Sequence, residues 1–196
     1  MLLPTISAQV NSITTASADF RQNTQHSLSD RSAQNMALSY AHENSYLDAY
    51  FSHYHTTYPF LHEPTFRAEY NGMLPRPQGS AWVMLLNTVL ALGAWCIGND
   101  YTSVDDFYYQ RVLAITNENS VFETGNLTLV QALLLLSNYT QKRNRPNTGW
   151  NYLGLAVRIA VSLGLHKEFP TWQIKPLERE MRRRVWWGLF IFDSGA

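Results

Sequence analysis

WNYLGLAVRIAVSLGLHKEFPTWQIKPLEREMRRRVWWGLFIFD, running from Trp150 to Asp193, decides the fold class. In its first half Trp150, Leu153, Val157, Ala160, Val161 and Gly164 recur at three- or four-residue spacing, the period of a narrow apolar stripe along a helix. The small members of that stripe predict a closely approaching neighbour. GLHKEFPTWQIKP closes the helix, and Pro176 suits the first turn of the next one, with Glu178 and Glu180 toward the favourable end of its dipole. In the second half Met181, Val185, Leu189 and Phe192 share a face, which Trp186, Trp187 and Phe190 widen. Glu178 with Arg182 and Glu180 with Arg184 form i,i+4 pairs worth about 0.2 to 0.5 kcal/mol each when exposed, so aromatic packing is expected to decide this helix's stability. The sequence stops where the second helix should be locking into a core, and the expected domain is incomplete at its C-terminus.

Upstream, residues 1–41 are rich in Ser, Thr, Gln, Asn and Ala without a sustained apolar period, which reads as a flexible polar linker or tail. A helix is expected over 44–57, with Tyr46, Leu47, Tyr50, Phe51 and Tyr54 on an aromatic face and Pro59 beyond its end. PFLHEPTFRAEY then reads as a short apolar plug between helices, and NGMLPRPQG as a polar loop. The run SAWVMLLNTVLALGAWCI, 80–97, is apolar nearly all round, as a central buried helix would be, and Gly93 within it permits close packing. Ser103 and Asp106 mark a capping-box variant at the start of the next helix. Thr128 and Gln131 have capping-box spacing ahead of a further one. Sustained period-two alternation is scarce. The reading is all-α, an irregular assembly of at least six helices, with a single domain over 42–196.

Composition narrows the function classes. The chain has 196 residues, 45% of them hydrophobic and 13% aromatic, enough apolar material for a sizeable core. Fifteen Lys plus Arg against fifteen Asp plus Glu leave zero formal charge, so the whole chain carries no electrostatic footprint for nucleic acid or an anionic membrane. A single cysteine, Cys96, excludes an intramolecular disulfide framework and a thiolate zinc cluster. No run reaches about 18 uninterrupted apolar residues, and the N-terminus lacks a basic start with an apolar core, so neither a membrane span nor secretion is expected. The sequons at Asn126 and Asn138 match a glycosylation pattern that also arises by chance.

Candidate chemistry is sparse. Arg182, Arg183 and Arg184 sit at different azimuths of one helix, beside Glu178 and Glu180, as a solvated salt-bridged surface does. His42, His53, His55 and His62 cluster in sequence, but their spacing matches no established metal motif. Ser137 and Ser162 lack a strand-to-helix elbow. The six tryptophans suit helix packing or an effector cavity, where Tyr139, Trp150 and Trp187 are the side chains of interest.

Three segments, YLDAYFSHYHTTYPFLHEPTF, GWNYLGLAVRIAVSLGLHKE and EREMRRRVWWGLFIFD, together resemble the middle regulatory region of fungal zinc-cluster transcription factors, the xylanolytic activator regulatory domain type. GLH followed by ERE-x-RRR-x-WW is the most specific part. The resemblance implies an all-α, non-catalytic regulatory domain in a nuclear regulator of RNA polymerase II transcription. It implies no cofactor in this chain, since the family's zinc needs a cysteine cluster that is absent here. Contact with DNA would come only through a missing N-terminal domain. Intramolecular or transcriptional protein partners and a small-molecule effector are implied, and no membrane. Structural or regulatory candidates are His62, Trp150, Arg158, His166, Arg182, Arg183, Trp186, Trp187 and Asp193, with Arg158, His166, Arg182 and Arg183 as polar contacts between elements. The alternatives are a helical interaction scaffold without DNA binding and, further off, a helical enzyme.

Overall fold

A computed structural model describes residues 39–98, 104–116, 125–168 and 173–195. The chain divides into two units, Met1–Asn44 and Ser45–Ala196. In the first, the described residues 39–44 are helical, and the Asn44 amide donates to the Tyr40 carbonyl at 2.8 Å. The expected tail over 1–41 otherwise lies outside the described residues.

The second unit is all-α among its described residues. Residues 45–49 are α-helical and run into a π turn, Tyr50–Tyr54, together α1, closed by the His55 N–H on the Tyr50 carbonyl at 2.9 Å. There follow α2 (Glu63–Tyr70), α3 (Ser80–Ile97), α4 (Val104–Thr116), α5 (Leu127–Lys142), α6 (Pro146–Ser162) and α7 (Pro176–Ser194). α3 and α5 are the axis. α1 and α4 lie on α3, α6 lies on α5, and α7 touches both α5 and α6. Every residue from Leu129 to Thr140 is buried, so α5 is surrounded and its polar side chains must find partners inside. They do so across long sequence distances. The Gln131 amide donates to the Phe60 carbonyl at 2.8 Å, Asn138 Oδ1 accepts the Tyr54 hydroxyl at 2.8 Å, and Ser137 and Thr140 return to carbonyls of their own helix. The Asn138 sequon is thus absorbed by the core.

α3 spans the expected residues. Its length and composition would also suit a membrane crossing, contrary to the sequence reading, but 67% of it is buried inside the protein, which marks it as a core helix. At Gly93 a Cβ would meet the Tyr46 carbonyl oxygen at 1.9 Å, so the absence of a side chain is what lets α1 cross α3 so closely.

Several expectations are corrected. The apolar plug contains α2, because Pro64 occupies the first turn, where proline costs no hydrogen bond. α5 is capped by Asn126, whose Oδ1 accepts the Leu129 N–H at 2.8 Å, and not by Thr128. The stripe of α6 is displaced. Gly149, Leu153, Ala156 and Ala160 are buried, while Trp150 and Val161 stand exposed, since close approach of α5 selects small residues over large ones. On α7 Met181, Val185, Gly188 and Leu189 are buried, but Trp187 and Phe190 face outward and do not widen the core face. Ser103 lies outside the described residues.

Candidate functional site

The corner between α6 and α7 gathers five of the nine sequence-derived candidates. α6 ends in a Schellman arrangement: the Leu165 N–H reaches back to the Ala160 carbonyl at 2.9 Å and the Gly164 N–H to Val161 at 3.0 Å, with Gly164 at φ 67°. Only glycine adopts that angle without strain. Leu165 is buried by this reversal, and His166, Lys167 and Glu168 are delivered to the surface beside α7.

α7 meets them with a sequence-ordered set of contacts. Arg182 Nη2 donates to the Leu163 carbonyl at 2.9 Å, placing a cation on the negative end of α6 and satisfying an orphan acceptor there. Arg183 Nη2 lies 2.6 Å from the Glu168 carboxylate, to which its Nε also donates, and a looser approach to Glu180 at 3.8 Å flanks the pair. Arg184 turns to Glu180 at 2.7 Å, the i,i+4 pair expected from the sequence. The three arginines therefore point in different directions, as their azimuths require, although Arg183 and Arg184 both approach Glu180. The Trp186 ring rests 5.6 Å from the His166 ring at 51°, with part of the indole packed on the core. Trp187 is 53% exposed and meets Phe190 edge-on at 5.7 Å.

These residues enclose a crevice of about 390 Å³, completed by Ile174 and Arg179. Lys167, Arg179, Arg182 and Arg183 are the cations of its lining and Glu168 is the anion, in a chain whose formal charge is zero. Such a lining can hold an anionic group and transmit its arrival to the end of α6 through Arg182. The three surface-exposed ion pairs contribute only about 0 to 1 kcal/mol each to stability, so they can exchange partners at small cost.

The remaining candidates do not join it. His62 precedes α2, with Nδ1 2.7 Å from Thr65 Oγ1, and lines a separate apolar cleft of about 410 Å³ in which burial raises the pKa of the Glu69 carboxyl. Trp150 and Arg158 are exposed on α6, and Asp193 is exposed near the end of α7. Tyr139 is buried outside the crevice. His53 Nδ1 sits 3.1 Å from the Ala49 carbonyl, and His55 packs against the Tyr50 and Phe51 rings with Nδ1 buried and unpartnered. Among the described residues no three His, Cys, Asp or Glu side chains converge as metal ligands.

Sequence reasoning missed two features. Lys167, Glu168, Ile174 and Arg179 complete the crevice, and the alternation of charge with GLH in the quoted stretch was the available signal. The second is a buried ion pair: Asp105 in the first turn of α4 accepts a two-pronged contact from Arg143, at the C-cap of α5, and a hydrogen bond from the Tyr139 hydroxyl at 2.9 Å. Burial, then the bond to Asp105, raises the Tyr139 pKa well above the ordinary phenol value. No local pattern marks a pairing across 38 residues.

The model of the fungal specific transcription factor domain matches residues 47–194. The lactose regulatory protein LAC9 of Kluyveromyces lactis is 42% identical over 147 residues, covering 75% of this chain and 16% of LAC9. Transcription factor FBD3 of Gibberella moniliformis is 32% identical over 160 residues, 76% of this chain and 21% of that protein. The nitrogen assimilation transcription factor nirA of Emericella nidulans is 29% identical over 157 residues, 76% of this chain and 17% of nirA. The chain thus spans 16 to 21% of the length of these curated relatives. No solved structure matches it.

Proposed function

The chain belongs to the fungal specific transcription factor domain family, and from that premise we propose that it is a non-catalytic domain that regulates RNA polymerase II transcription in the nucleus. The observation that carries this reading is the match across 47–194, which takes in α2 to α7 and most of α1. Two further features support it. Polar residues of the quoted stretch are spent on joining α6 to α7, through Arg182 on the Leu163 carbonyl and Arg183 on Glu168, and not on assembling a nucleophile with its base. The half-buried Cys96 has its pKa raised by burial, with Lys142 opposing the shift, which is the setting of an inert thiol.

In this reading DNA contact belongs to a cysteine-rich zinc segment outside these residues, and the present domain restrains or releases activation through protein contacts and an effector. The α6–α7 corner is the place where a change of state passes between elements. The test places the full chain between a heterologous DNA-binding domain and an activation domain in a fungal reporter strain. Reporter output below that of the same fusion carrying an inert helical protein of equal size supports a regulatory domain. Output equal to that control at matched protein levels contradicts it.

A further inference from the structure

We propose that the α6–α7 crevice binds a small organic anion, a carboxylate or phosphate carried on a flat apolar body. On α7, Arg179, Arg183 and Trp187 stand four residues apart and form one row along the helix. Arg182 and Trp186 form the row beside it. Both rows run from cation to indole in the same direction, and both line the crevice. The crevice is therefore polarised along its length: cationic toward the start of α7 and aromatic toward its middle, and its cations outweigh the negative end of α6 on which Arg182 sits. A ligand with a charged end and a flat end fits that order in one orientation only.

The crevice already holds a carboxylate of the protein's own. Glu168, with its side chain 69% exposed, is bound by Arg183 through Nε and Nη2. An incoming oxyanion would exchange for this carboxylate without leaving the guanidinium unpaired, while its flat body covers Trp186 and Trp187. Glu168 is then an internal competitor, and its removal has the opposite effect to removal of Arg183. The proposal rests on the regulatory reading for its purpose, but the binding is measured on the purified chain, so its failure leaves the reporter test standing.

The experiment is calorimetric titration of the full 196-residue chain with 1-naphthyl phosphate, with 1-naphthol as the uncharged control. The expected result is saturable binding of the phosphate and none of the naphthol. Arg183→Gln should weaken binding roughly tenfold, the loss of one charge-assisted contact, and Glu168→Gln should strengthen it several-fold. Both positions are solvent-exposed, and far-UV circular dichroism checks that each variant keeps its helices. Should Arg183→Gln unfold, the Glu168→Gln gain alone decides. Absence of heat up to about 1 mM ligand, equal binding of naphthol, or affinities unchanged in both variants would overturn the proposal. So would displacement of the probe by polyglutamate at far lower concentration, which would make the crevice a docking surface for an acidic protein segment.

Discussion

Asp105 is 2% exposed, and its carboxylate is held in place by Arg143 and Tyr139. Truncation to alanine strands a partly buried guanidinium and a buried hydroxyl together. Asp105→Ala should therefore cost about 2 to 4 kcal/mol in chemical denaturation, and a loss below about 0.5 kcal/mol would show that water replaces the carboxylate freely. His55 supplies a pH dependence. Burial lowers its pKa from the ordinary 6.5, with Arg184 and His62 adding to the shift and Glu63 opposing it. The folded state then takes up a proton less readily than the unfolded chain, so this contribution is complete above about pH 6.5 and is lost as pH falls toward the lowered value. Stability measured between pH 7 and pH 5 should decline, and His55→Gln should flatten that part of the curve. An unchanged slope in the variant would assign the decline elsewhere.

At the scale of elements, two glycines separate two kinds of constraint. A Cβ at Gly164 meets nothing within 4 Å, so only its left-handed backbone resists substitution, and Gly164→Ala should cost about 1 to 2 kcal/mol. At Gly93 the obstacle is the α1 backbone itself, which cannot rotate aside, and Gly93→Ala should destabilise by more than about 3 kcal/mol or displace α1. Thermal denaturation of the two variants side by side reads the difference, and equal losses would contradict it. The same contrast explains what the sequence disclosed. α3 was legible to its end residues because its run is apolar nearly all round and bounded by polar segments, and α7 because Pro176 marks its first turn and Met181, Val185 and Leu189 its buried face. The face of α6 was read rightly at Leu153 and Ala160 but misplaced at Trp150 and Val161, because hydrophobicity favours those two whereas proximity to α5 favours Gly149 and Ala156. α2 was read as part of an apolar plug between helices, although Pro64 stands in the first turn, which tolerates proline. At the candidate site, His166, Arg182, Arg183, Trp186 and Trp187, singled out on the family resemblance, come together because they lie in one short stretch folded back at Gly164. The Asp105 pair was not, because it joins residues 38 apart in sequence.

For the whole molecule, the core is built to be rigid and the α6–α7 corner is not. Leu129 to Thr140 are buried without interruption, and each fully buried leucine there contributes about 1.5 to 3 kcal/mol. At the corner Leu165, Val185 and Leu189 pack on the core, while the outer surface is joined by exposed ion pairs, the Arg182 cap and the ring contact between His166 and Trp186. A domain of this construction can change the surface contacts between α6 and α7 while keeping its fold, as the proposed regulatory role requires. The most direct measurement is reporter output from the heterologous fusion carrying Arg182→Gln, compared with the parent chain at equal protein level and equal helix content. Loss of the cap on Leu163 is expected to shift output by at least about twofold while the domain remains folded. Output identical to the parent, with helix content preserved, would contradict the claim that this corner carries the regulatory state.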